Sequence, residues 1–215
     1  MKNYWQALPP GTRFLATLHA LGFLGILLLR VAAGVDLTGW IALDGSALNG
    51  FQVWRLLTYH LVGGDPLNAF FGTLFILFVG PGVERAWTPT RMIGHYIACG
   101  IASGVVLAWI LRNYQVGILT NSGAILGLVV PWFLINRFQR FQLFANGPDI
   151  SAAAGAMLWA ACVVAPFGLS CGWRLTPGII AGAPVGWALI RVHDLLADRR
   201  VRAAGSAPRG SRLEL

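Results

Sequence analysis

The chain has 215 residues, of which 56% are hydrophobic and only 11% charged, with a formal net charge of +8. Soluble domains carry about 25% charged residues, so the composition excludes a soluble globular protein and indicates a polytopic membrane protein. The positive charge does not indicate nucleic acid binding, because membrane topology explains the basic loops and tail, and no basic-aromatic groove pattern is present.

Six apolar segments are candidates for crossing the bilayer as helices. They cover residues 14–35, 67–83, 92–111, 117–135, 150–169 and 177–192. Helices are expected because lipid tolerates no unpaired backbone and the alternating pattern of a barrel is missing. The second and sixth segments are short, so we expect parts of them to pack against neighbouring helices. Residues 1–13 then form a cytoplasmic N-terminal segment, residues 14–192 the membrane domain, and residues 193–215 a basic, disordered tail.

The basic residues predict the orientation. With the N-terminus in the cytoplasm, twelve Lys and Arg residues fall on the inside and three, Arg55, Arg112 and Arg174, on the outside. This positive-inside bias places both termini in the cytoplasm and the chain in a bacterial-type inner or plasma membrane. The first loop, about residues 36–66, is too apolar for a solvated loop and too broken for a span, so we expect it to lie in the interface, anchored by Trp40 and Trp54.

Three stretches carry motifs. Residues 51–59 are Phe-Gln-Val-Trp-Arg-Leu-Leu-Thr-Tyr, residues 80–87 are Gly-Pro-Gly-Val-Glu-Arg-Ala-Trp, and residues 121–124 are Asn-Ser-Gly-Ala. In order and spacing they resemble the rhomboid family of intramembrane serine proteases and their inactive relatives. Thr88 replaces the last glycine of that family's Gly-x-x-x-Glu-x-x-x-Gly pattern. The resemblance covers about residues 51–192 and implies an all-α, six-transmembrane-helix rhomboid-like bundle with an interfacial first loop.

The resemblance puts Ser122 at the nucleophile position, and a serine hydroxyl needs a neighbouring base to take its proton. The family places that base, a histidine, on the sixth helix, where this chain has Ile179. It places a histidine and an asparagine on the second helix as oxyanion donors. Those positions fall on Asn68, which could still donate, and on Gly72, which has no side chain. Thr120 replaces the glycine that opens the Gly-x-Ser-Gly motif.

Of the four histidines, His60 alone is expected on the same side of the membrane as Ser122. The sequence therefore predicts a catalytically inactive pseudoprotease that binds transmembrane segments of client proteins in the lipid bilayer, with no cofactor and no metal. The alternative is an active intramembrane serine endopeptidase that uses Ser122 with a non-standard base, either His60 or an activated water.

Glycines recur every fourth residue on three segments. They are Gly100 and Gly104 on the third, Gly123 and Gly127 on the fourth, and Gly178, Gly182 and Gly186 on the sixth. Residues four apart share a helix face, so these glycines predict smooth stripes at which helices approach closely. Ser122 adjoins one stripe, and we expect its hydroxyl to bond to a backbone carbonyl there.

Other polar residues have structural interpretations. We expect Arg55 to bond backbone carbonyls of the first loop, and Asp65 with Pro66 to begin the second helix. Glu84 is expected to cap the end of that helix or to pair with Arg91.

Overall fold

The computed structural model describes residues 4–62, 64–114, 116–142 and 149–205. Helices dominate this part of the chain. They are α1 (Tyr4–Ala7), α2 (Pro10–Ala33), α3 (Thr38–Ile41), α4 (Ser46–Asn49), α5 (Arg55–Thr58), α6 (Pro66–Ala86), α7 (Pro89–Leu111), α8 (Ser122–Asn136), α9 (Ala152–Cys171), α10 (Thr176–Ile180) and α11 (Gly182–Gly205). Two short antiparallel strands, β1 (Arg140–Gln142) and β2 (Asp149–Ser151), stand between α8 and α9. The expectation of a purely α-helical chain missed this pair.

Among the described residues, five helical runs are long and apolar enough to cross a membrane. They are Pro10–Ala33, Pro66–Ala86, Pro89–Leu111, Ala152–Leu169 and Trp173–Leu196. The protein is therefore a multi-pass integral membrane protein. The second helix has 21 residues, so the expectation that it is short was wrong. The short apolar helix is the fourth, α8, with 15 residues.

α8 is short because the start of its apolar segment pairs with the first loop. Ile118 and Leu43 exchange two backbone hydrogen bonds of 2.8 Å, and the Thr120 N–H donates to the Tyr59 carbonyl at 3.0 Å. The helix consequently begins at Ser122, and its 15 residues span about 22 Å. Ten of them are buried, because α6, α7, α9, α10 and α11 all pack against this helix. α8 is thus the central element of the bundle.

The sixth apolar segment is divided into α10 and α11 at Ala181. Pro184 has no N–H to donate to the Ile180 carbonyl, which explains the break. α11 then continues to Gly205, so residues 193–205 are helical where we expected a disordered tail. The rest of that tail, residues 206–215, lies outside the described residues.

The first loop is held by Arg55. Its guanidinium donates to the carbonyls of Gly39, at 2.6 Å, and Ala42, at 2.8 Å, and pairs with the Asp44 carboxylate at 2.9 Å. The bonds to the loop carbonyls are the ones that the sequence predicted. Because α5 leads into the turn before α6, this anchoring also positions the beginning of α6.

Glu84, in contrast, does not cap α6 or pair with Arg91. Its buried carboxylate accepts hydrogen bonds from the N–H of Gly11 at 2.7 Å and from the N–H and hydroxyl of Thr12 at 2.6 and 2.8 Å. These donors belong to the first turn of α2, whose N-cap Pro9 has no side-chain bond to supply. Helix N-termini leave N–H groups unsatisfied, so Glu84 caps α2 from a neighbouring helix.

Candidate functional site

Ser122 is the first residue of α8 and is 2% exposed. Its hydroxyl lies 2.8 Å from the Thr120 hydroxyl, and its N–H donates to the same Thr120 oxygen at 3.2 Å. The Asn68 amide on α6 also donates to that oxygen, at 3.1 Å. The expected bond from Ser122 to a backbone carbonyl is not formed, and the side chain of Thr120 takes its place.

The other contacts of Thr120 bear on the direction of the bond between the two hydroxyls. A hydroxyl has one donor hydrogen and two acceptor lone pairs. Asn68 and the Ser122 N–H both donate to the Thr120 oxygen. Either hydroxyl can donate in the contact between Thr120 and Ser122, and these two accepted bonds favour donation from Thr120 to Ser122 Oγ. The three groups that acyl-transfer chemistry would use here, a hydroxyl, a backbone N–H and a side-chain amide, all converge on one threonine.

Asn68 is positioned by the start of α6. Asp65 is the N-cap, and its carboxylate accepts from the Asn68 N–H at 2.9 Å, with Pro66 at the first helical position. This local geometry is the one that the Asp-Pro pair predicts, and it directs the Asn68 side chain towards Thr120.

Gly72 is one turn further along α6, and the carboxamide of Asn121 lies against it. A Cβ added at Gly72 would overlap the Asn121 amide nitrogen. Asn121 is 1% exposed, and both polar atoms of its side chain lack a hydrogen-bond partner among the described residues; the Asn68 carbonyl oxygen lacks one as well. The carboxamide of Asn121 thus occupies the space that a side chain at position 72 would fill.

Ile179 lies on α10 with no exposed surface, packed in an apolar cluster that includes Leu107, Phe167 and Leu175. Its backbone carbonyl lies 3.4 Å from the point that a Cβ on Gly123 would occupy. Position 179 is therefore beside the start of α8. An isoleucine there presents hydrocarbon, which cannot accept a proton.

His60 does not reach Ser122. Its Nδ1 is 3.1 Å from the Leu56 carbonyl, and its ring lies against Gly100 of α7, where an added Cβ would be 2.6 Å from the ring carbon Cδ2. The ring is completely buried, and this burial lowers the pKa of His60 to about 4. The residues that line the space around Ser122 do not include it.

The other three histidines are also elsewhere. His19 on α2 bonds to the Tyr96 hydroxyl at 2.7 Å, His95 on α7 approaches the Gly127 carbonyl at 3.1 Å, and His193 is exposed on α11. All four histidines of the chain are in the described part, and none of them bonds to the Ser122 hydroxyl.

The glycines of the fourth and sixth segments lie where helices meet, whereas Gly100 and Gly104 face the rings of His60 and Tyr59, which follow α5. A Cβ at Gly182 would overlap the Gly123 carbonyl, and one at Gly186 would be 2.8 Å from the Gly127 carbonyl, so α11 packs on the backbone of α8. On the side of α8 that faces α7, added carbons at Gly123 and Gly127 would overlap the side chains of Ser103 and Cys99. Gly178 approaches Leu107, at 2.8 Å from the added carbon. These contacts hold the start of α8, and with it Ser122, in place.

A cavity of about 110 Å³ opens beside Ser122, between α6 and α9. Its apolar wall includes Phe71 and Phe75 from α6 and Val163 and Phe167 from α9, and its polar end holds Asn68, Thr120, Asn121 and Ser122.

Sequence reasoning missed the part played by Asn121 and the contribution of α9. Three consecutive hydrogen-bonding residues, Thr120 to Ser122, within an apolar segment were a signal for the first. No such signal was present for α9, because the sequence does not distinguish an apolar residue that faces a cavity from one that faces lipid.

These features define a polytopic helical membrane protein with a serine at a buried helix N-terminus. A comparison with protein-family models matches residues 50–192 to the Rhomboid domain, so the chain belongs to the rhomboid family. No curated protein matched the chain.

Proposed function

We propose that this rhomboid-family protein does not cleave peptide bonds and instead binds transmembrane segments of other membrane proteins. Under this proposal both termini are cytoplasmic, as the distribution of Lys and Arg predicts, and the chain resides in an inner or plasma membrane.

The observation that carries the proposal is the set of hydrogen bonds at Thr120. Its hydroxyl engages Ser122 Oγ, the Ser122 N–H and the Asn68 amide. A serine oxygen that accepts a hydrogen bond is a weaker nucleophile, since its lone pair is partly committed. The N–H and the amide that would stabilise an oxyanion are committed as well, and removing one such donor costs an acyl-transfer enzyme about 100- to 1,000-fold in rate.

The missing base supports the same conclusion. General-base catalysis requires a proton acceptor within about 3 Å of the nucleophile. Ile179 cannot accept a proton, His19, His60 and His95 bond to other groups, and His193 is exposed on α11.

The cavity supports the binding half of the proposal. It is mostly apolar and lies between two helices, α6 and α9. Under this proposal, a side chain of a neighbouring transmembrane helix enters it from the bilayer. Without a hydrophobic driving force in lipid, helices associate through close packing and hydrogen bonds. A recess with an apolar wall and a polar end provides both.

The test uses the purified chain in liposomes with fluorescently labelled single-span model proteins. Energy transfer measures binding, and gel electrophoresis measures cleavage. We expect saturable binding with equal affinity for the wild type and Ser122→Ala, and no cleavage product. A product that disappears in Ser122→Ala would instead support the alternative, an active serine endopeptidase. Failure of every model protein to bind would contradict the client-binding role.

A further inference from the structure

Three buried polar atoms belong to two residues that line the polar end of the cavity. They are Nδ2 and Oδ1 of Asn121 and Oδ1 of Asn68, and none has a hydrogen-bond partner among the described residues. Buried polar groups in folded proteins are nearly always paired, and each exception calls for an explanation. Within a membrane-embedded bundle an unpaired amide is costly, since no lipid group can replace the bond.

Packing does not account for the amide of Asn121. The side chain lies against Gly72, which has no side chain of its own, and against the apolar recess between α6 and α9. An apolar residue of the same size, such as leucine, would fill this space without leaving polar atoms unpaired. Asn68 differs, because its Nδ2 is used by Thr120 and only its oxygen is free.

The free atoms form a complementary set for one chemical group. Asn121 presents a donor and an acceptor side by side, and Asn68 adds a second acceptor. A primary carboxamide, with two N–H donors and one carbonyl oxygen, matches this set. A single apolar side chain cannot pair with any of the three atoms, and a carboxylate would bring charge into an apolar recess.

We propose that Asn121, with Asn68, recognises the side-chain carboxamide of an Asn or Gln residue in a client transmembrane helix. This inference rests on the proposed client binding and names the class of segment that is bound. A helix that carries a carboxamide in lipid has its own unpaired polar group, so pairing the two amides relieves the cost on both sides.

The decisive comparison uses the wild-type chain and two labelled single-span peptides that differ only in having Gln or Leu at one position near the outer end of the span. Binding is measured by energy transfer in phosphatidylcholine–phosphatidylglycerol liposomes. We expect the Gln peptide to bind about five- to tenfold more tightly. Equal affinities would overturn the carboxamide inference and leave client binding intact, whereas binding of neither peptide would overturn client binding itself.

Two variants separate recognition from structure. In Asn121→Leu we expect the preference for Gln to disappear, while the Leu peptide still binds and the chain unfolds at an unchanged or higher denaturant concentration. The matched control is Asn136→Leu at the other end of α8, whose amide is already bonded to the Trp132 carbonyl at 2.8 Å; it should keep the preference. If Asn121→Leu keeps the preference, or unfolds more easily than the wild type, Asn121 is a structural residue and the inference is wrong.

Discussion

Glu84 connects α6 to the first turn of α2, and its replacement by glutamine should loosen that connection. The carboxylate accepts three hydrogen bonds, from the N–H of Gly11 and from the N–H and hydroxyl of Thr12. Glutamine has nearly the same shape but only one acceptor oxygen. With that oxygen turned towards Thr12, the NH₂ group of the glutamine would face the N–H of Gly11, so two donors would oppose each other.

The magnitude follows from these bonds. A hydrogen bond to a charged group contributes about 1.5–3 kcal/mol to stability. A negative charge at a helix N-terminus adds about 0.3–1 kcal/mol. Loss of one such bond and of the charge should therefore lower the free energy of unfolding by about 2–4 kcal/mol.

The assay is equilibrium unfolding in mixed micelles, in which the fraction of sodium dodecyl sulfate is raised and the helical circular dichroism is followed. Arg85→Gln is the control, because it removes a charge from the adjacent, exposed residue and should change stability by less than about 0.5 kcal/mol. If Glu84→Gln lowers the free energy of unfolding no more than Arg85→Gln does, the desolvation cost of the buried carboxylate offsets its hydrogen bonds. That result would refute the capping argument.

Three other predictions concern packing, the first loop and pH. Gly182→Ala should destabilise the protein by about 1–3 kcal/mol, because the new carbon overlaps the backbone of α8. Gly25→Ala, with nothing within 4 Å of the added carbon, should be neutral or stabilising by about 0.5–1 kcal/mol. Arg55→Gln should weaken the loop by about 1.5–3 kcal/mol, measured as about ten- to hundredfold faster hydrogen exchange in α3 and α4. Burial lowers the pKa of His60 from 6.5 to about 4. Between pH 6.5 and pH 4, His60 is protonated in the unfolded chain but neutral in the folded one. The free energy of unfolding should therefore fall as the pH drops through this range, at up to about 1.4 kcal/mol per pH unit.

Each of these has a result that would contradict it. Equal stability of the two glycine variants would refute the close approach of α11 and α8. Unchanged exchange in Arg55→Gln would mean that the loop is held by other contacts. His60→Gln removes the titrating group, so the pH dependence should become shallower; an identical slope would show that His60 does not contribute to it.

The positions of the long helices could be predicted because apolar runs of about 20 residues between prolines and charged residues leave few alternatives. Asp65 with Pro66 and the bonds of Arg55 to loop carbonyls were also predictable, since each depends on local chemistry. The length of α8 was not. Its apolar segment is continuous, and only the pairing of Ile118 with Leu43, which is far away in the sequence, decides that the helix starts at Ser122.

The contacts of Glu84 and Asn121 were unpredictable for the same reason. Glu84 bonds to residues that precede it by 72 and 73 positions, and neither periodicity nor a short motif carries such information. At the site, the resemblance assigned expected roles to Ser122, Ile179, Asn68, Gly72 and Thr120. It did not predict that the Thr120 hydroxyl would engage Ser122 or that Asn121 would lie against Gly72, because both depend on side-chain directions at the meeting of α6 and α8.

The central claim is that Ser122 is not an activated nucleophile, and a serine-reactive fluorophosphonate probe tests it most directly. The measurement is the rate of covalent labelling of the wild-type chain and of Ser122→Ala in liposomes, with an active serine hydrolase as the positive control for the probe. We predict that both chains are labelled at the same background rate, because the Ser122 hydroxyl is bonded to the Thr120 hydroxyl and no histidine of the described residues bonds to it. Labelling of the wild type that is lost in Ser122→Ala would contradict the account.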